Sequence, residues 1–90
     1  MELEKLDLEL LKAIYEKDNH NKSIDWESLN FESNNHKAFH LEKLERNGYI
    51  SIEKNTLIPG GQRDPKYGTA VAMVWSEGIH ILEKGKKAIR

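Results

Sequence analysis

Between Phe31 and Ile50 the chain reads FESNNHKAFHLEKLERNGYI, and its polar and apolar positions predict one helix with a defined start and stop. Ser33 is suited to the N-cap, because its hydroxyl can accept a bond from a free N–H of the first turn. Gly48, preceded by Asn47, marks the stop, since a left-handed residue there closes the last turn. At about 100° per residue, Leu41, Leu44, the stem of Lys37 and Asn34 share one side, with Ala38 at its margin. Upstream, Leu3, Leu6, Leu10, Ala13 and Ile14 recur at three- and four-residue steps and predict a first helix over about 2–17. Leu8, Leu11 and Tyr15 make a second stripe on it. Residues 25–29, DWESL, predict a short helix with Asp25 as its cap, and Phe31 anchors the turn that follows. YISIEK (49–54) and AVAMVW (70–75) read as two strands of one hairpin, joined by a loop with turn signals at Pro59-Gly60-Gly61 and Asp64-Pro65. A short last helix is expected from about Leu82.

The expected fold class is therefore α+β, a single domain over 1–90. The order of its elements is that of a winged helix-turn-helix: a three-helix core, a two-stranded wing over 55–69 and a short C-terminal helix. Ninety residues bury a modest core, so partners can add stability. The chain has no cysteine, which removes disulfides and thiol chemistry. Its acidic start lacks the pattern of a signal peptide, and no stretch approaches the ~20 apolar residues of a membrane span. A cytoplasmic protein without a membrane partner is expected. The net charge of −1 is unevenly spread. Residues 1–32 carry four lysines against nine acids, whereas residues 33–90 carry ten lysines and arginines against six acids. Such polarity lets one end of a protein attract a polyanion.

On the side of the 34–46 helix away from its leucines lie Asn35, His36, Phe39, Lys43 and Arg46, with Glu42 at the edge. That face suits the major groove: Asn pairs with adenine, Arg or Lys with guanine, and a ring meets a thymine methyl. Arg63 and Lys66, with Tyr67 beside them near the loop tip, would contact phosphate or the minor groove. Phe39 on a wet face would equally suit a protein partner. Leu8, Leu11 and Tyr15 would form a dimer interface if the first helix is shared between two copies, and a buried helix is the alternative. His36 and His40, with Glu32 four residues before, have the spacing of metal ligands, but no third ligand with recognisable spacing joins them, so no metal or cofactor is expected. No nucleophile–base pair or carboxylate pair stands out, so no enzyme is expected.

The segments LDLELLKAIYE (6–16), LEKLERNGYI (41–50) and HILEKGKKAI (80–89) resemble the YjcQ-like winged-helix proteins and, more loosely, winged-helix regulators of the MarR and PadR type. Leu44, Gly48, Tyr49 and Ile50 match the run that closes the recognition helix. Ile81, Leu82, Glu83, Lys84 and Gly85 match the run after the wing, with Leu82 where the family has a capping threonine. The resemblance implies a winged helix. With that fold and the face of the 34–46 helix, the expected function is a small bacterial or phage protein that binds double-stranded DNA and regulates transcription. A winged-helix module for protein contact is the alternative.

Overall fold

Helix α1 (Lys5–His20) begins three residues later than its leucine pattern suggests. The reason is Asp7, whose carboxylate accepts the Glu4 backbone N–H at 2.9 Å and thereby fixes Glu4 as the cap. A computed structural model describes residues 2–90. The face that α1 buries is Asp7, Leu10, Leu11 and Ile14, at the i, i+3, i+4, i+7 spacing of one helical stripe. Leu11 is fully buried in the core of its own chain. It is thus not available to a second copy, which corrects its expected place in a dimer face. Leu8 is only half-buried, and Tyr15 packs at the core edge and lines a hollow with Ile89.

Asp25–Leu29 is not a helix. Leu29 N–H bonds Trp26 O and Asn30 N–H bonds Glu27 O, at 3.2 and 3.3 Å, which are three-residue turns. Asp25 does take its capping role, accepting Ser28 N–H at 3.3 Å. Asn30 ends the segment in the left-handed region, with φ 59°. Ile24 and Leu29 face the core as expected, and Trp26 packs against it while its Nε1–H reaches Ser76 Oγ at 3.0 Å.

Helix α2 (Asn34–Arg46) matches the expected boundaries. Ser33 Oγ accepts His36 N–H at 3.1 Å, and Gly48 has φ +81°. Ala38, Leu41 and Leu44 are completely buried.

After α2 come β1 (Ile50–Ile52), β2 (Leu57–Pro59), β3 (Val71–Val74), a 3-10 turn (Ser76–Gly78), β4 (Ile79–Ile81) and α3 (Glu83–Ala88). The fold is α+β, with three α-helices and two antiparallel pairs, β1–β4 and β2–β3, among the described residues. The pairing differs from the sequence expectation. β1 pairs with Ile79–Ile81, not with the 70–75 run, in the register Ile50↔Ile81, Ser51↔His80, Ile52↔Ile79. The 70–75 run pairs instead with Leu57–Pro59, which the pattern left inside the loop. Between the two pairs, Glu53 N–H bonds Gly78 O and Trp75 N–H bonds Thr56 O, at 2.8 and 2.9 Å. One long ribbon therefore runs through both pairs with a kink in its middle. Gly78 makes the kink possible, because a Cβ there would stand 2.0 Å from the buried Thr56 Oγ1.

α3 starts at Glu83 with Leu82 as its cap position, and no side chain caps it. What holds it is packing. Gly85 is buried against Tyr49 O, where a Cβ would approach to 2.4 Å. Leu82 N–H also bonds Tyr49 O at 3.0 Å. Among the described residues no helix is long and apolar enough to cross a membrane.

Candidate nucleic-acid interface

The distal half of the ribbon, β2 and β3 with the 60–70 loop, lies against α2. Asn34 Nδ2 donates to Ala72 O at 2.8 Å. Asn35 Oδ1 accepts Val71 N–H at 2.7 Å and the Thr69 hydroxyl at 3.0 Å. These bonds complete the backbone pairing of β3 with side chains of the helix, which is why the ribbon adheres here. Asn35 was expected to face solvent; its acceptor is committed to the ribbon instead.

His36 is covered in the same way. Its ring stacks on Tyr67, with centroids 4.5 Å apart and planes 13° apart, and Phe31 and His40 meet it edge-on at 5.0 Å each. Its Nδ1 accepts the Glu32 backbone N–H at 3.1 Å, so the remaining ring proton sits on Nε2. Burial pushes its pKa down and His40 adds to this, while the Glu32 carboxylate pulls the other way. The side chain is 13% exposed, so His36 is not the open groove reader that the helical wheel suggests.

Lys43 is the third correction. Its ammonium lies 3.1 Å from Asp7 Oδ2 and 3.7 Å from Glu4 Oε2. Asp7 Oδ1 is 2.7 Å from His40 Nδ1. Burial raises the Asp7 pKa, but the Glu4 N–H, His40 and Lys43 outweigh it and hold the carboxyl below its ordinary value. Asp7 is thus ionised, and the proton of that bond lies on His40 Nδ1. Glu4, Asp7 and His40 bring ligand-type atoms within 4.8 Å of one another. Both Asp7 oxygens are already taken, and the Lys43 ammonium lies between the two carboxylates and offsets one of their charges. This arrangement is an internal tie between α1 and α2. The wheel missed it because its partner, Asp7, lies on another helix.

Phe39 is half-buried, with its ring edge-on to His40 at 5.3 Å and tilted against Tyr67 at 5.7 Å. Arg46 and Arg63 are exposed. The Arg63 guanidinium donates to Gly68 O, which shapes the loop tip. Between α2 and the loop runs a groove formed by two adjoining hollows of about 420 and 140 Å³. Arg63, Pro59 and Val71 line one, Phe39, Arg46 and Tyr67 the other, and Glu42, Gly68 and Thr69 both.

Lys66 and Tyr67 complete the surface. Lys66 Nζ lies 3.1 and 3.3 Å from the two Glu32 oxygens, and the Tyr67 hydroxyl donates to Glu32 Oε2. The structure thus brings Arg46, Arg63, Phe39 and Tyr67 to one groove, and the Lys66 ammonium lies 5.3 Å from the centre of the Tyr67 ring. Comparison with models of known families, with curated proteins and with solved structures finds no match for this chain.

Proposed function

We propose that this chain is a winged-helix module that binds double-stranded DNA, of the kind used by small bacterial and phage regulators, with the 60–70 loop as the wing. The reading rests on one observation: the ribbon lies beside α2 so that Arg46 of the helix and Arg63 of the loop border one groove, with Lys66 next to the groove residue Tyr67. The sequence resemblance to YjcQ-like proteins supports the winged-helix part of this reading. With Asn35, His36 and Lys43 tied down, phosphate contact rather than base reading supplies the affinity. Three phosphate contacts give a slope of log K against log salt of about −2.7 on B-DNA. The test is fluorescence anisotropy of a labelled random-sequence duplex at low and at physiological salt. Binding with a slope near that value, weakened several-fold by Arg46→Ala with Arg63→Ala, supports the proposal. A duplex left free at low salt refutes it.

A second reading, contact with a protein, has its own observation. Met73 and Trp75, two residues apart on one face of the ribbon, are 47% and 52% exposed. Phe39, expected to be the adhesive residue, is half-buried, so this reading moves from the helix to the ribbon.

A further inference from the structure

Glu32 lies 34 residues from Lys66 in sequence, yet its carboxylate gathers the Lys66 ammonium and the Tyr67 hydroxyl at one point. We propose that Lys66 and Tyr67 form a subsite for a nucleic-acid phosphate, which the Glu32 carboxylate fills in the free protein. The proposal rests on the DNA reading above and names the contact through which the wing engages the backbone.

The first argument is chemical. An ammonium and a phenol hydroxyl converging on two oxygens of one anion make the contact that Lys and Tyr make with phosphodiester oxygens. A carboxylate presents two oxygens in a similar span, so it can occupy the same place. The second is exposure. The side chains of Lys66 and Glu32 are 67% and 55% exposed, so a polyanion can reach both. An exposed ion pair of this kind is weak and easily exchanged.

The third argument is that the loop is held without Glu32. Asp64 Oδ1 accepts the backbone N–H groups of Lys66 and Tyr67, at 2.8 and 3.4 Å. Gly68 N–H bonds Asp64 O at 2.7 Å, and Arg63 donates to Gly68 O. Asn35 holds Thr69 and Val71. The Tyr67 ring is fixed by its stack on His36. Losing the Glu32 carboxylate therefore frees the two donors without moving them far, and Glu32 acts as a built-in competitor for the backbone.

The test compares wild type with Glu32→Gln, each in the native background and with Lys66→Ala plus Tyr67→Phe, by anisotropy of the labelled duplex at low salt. All three side chains lie at or near the surface, and far-UV circular dichroism verifies that each variant is folded. Glu32→Gln is expected to bind about three- to tenfold tighter, a range set by one exposed pair and one repulsive charge removed. In the Lys66→Ala, Tyr67→Phe background the gain should fall below about twofold, because nothing remains for Glu32 to occupy. An equal gain in both backgrounds overturns the proposal, since general repulsion then explains it. No gain in either, with wild type binding, overturns it too and leaves the DNA reading standing. If no variant binds the duplex at low salt, the DNA reading falls and takes the subsite with it.

Discussion

Replacing Asp7 by alanine is the most severe test of how this small fold is held. The carboxylate is completely buried, and three donors converge on it: Glu4 N–H at 2.9 Å, Lys43 at 3.1 Å and His40 at 2.7 Å. Alanine leaves a 4%-exposed imidazole and a largely covered ammonium without their common partner. Breaking one side of such a buried pair costs about 3–5 kcal/mol. A ninety-residue domain has roughly 5–13 kcal/mol in total, at ~0.05–0.15 kcal/mol per residue. The variant therefore loses between about a quarter and all of its stability. At ~4–8 °C per kcal/mol, the midpoint of thermal unfolding drops by roughly 12–40 °C.

Urea unfolding followed by circular dichroism at neutral pH measures the loss, and the acid limb measures its electrostatic origin. The folded pKa of Asp7 lies below the ordinary aspartate value of 3.8. Its stabilisation is therefore complete above that value and lost as pH falls through the lower, folded one. Asp18 is also held low, mainly by Lys17 and the Ile81 N–H against the opposing effect of burial, so it gives an acid limb to both proteins. What Asp7 contributes is the difference between the two curves. Asp7→Asn keeps the shape and isolates the charge. A loss below ~1 kcal/mol for alanine, or superimposable acid limbs, would refute the reasoning.

Two further outcomes follow from the packing. Gly85→Ala should destabilise the protein, although alanine is the better helix former by ~1 kcal/mol. A Cβ would sit 2.4 Å from the Tyr49 carbonyl, and overpacking of this kind costs ~1–3 kcal/mol; an alanine variant with an unchanged or higher urea midpoint contradicts it. The His80 pKa is raised, chiefly by its 2.5 Å contact with Glu53 and also by Asp18, against partial burial. Its contribution is present below about 6.5 and lost as pH rises through the folded value; solvent screening of this 41%-exposed ring keeps it small. In Glu53→Gln the ring's NMR titration midpoint should move down, and an unmoved midpoint would exclude Glu53 as the cause.

What the sequence made legible was whatever depends on neighbours along the chain. Ser33 and Gly48 bound α2 because caps act within one turn. The leucine pattern placed α1, but not its start. That start depends on Asp7, a residue that reads as a solvent-facing acid until its partners on α2 are known. The strand pairing was illegible for a related reason. A hairpin pattern puts YISIEK beside the nearest apolar run, and nothing local shows that Gly78 and Thr56 kink one ribbon through two pairs. DWESL carries a cap and a leucine but is too short to repay the cost of nucleating a helix, so it closes as turns. The exposed face of α2 was wrong in part because a helical wheel shows which side faces away from the leucines. It cannot show that a ribbon returns to cover Asn35 and His36.

That covering also limits how specific any DNA contact can be. Ala38, Leu41 and Leu44 of α2 fill the core, and His40 and Lys43 turn to Asp7. Asn34, Asn35 and His36 hold the ribbon, which leaves Arg46 as the exposed cation of the helix. Reading a base with Asn35 would require it to release Val71 N–H and the Thr69 hydroxyl together. Each such bond is worth ~0.5–1.5 kcal/mol net, and Val71 N–H would then need another partner. The 1–3 kcal/mol that a good base contact supplies would largely be spent on that release. With the ribbon in this position, the proposed DNA contact would therefore fall on the backbone, with little preference among sequences.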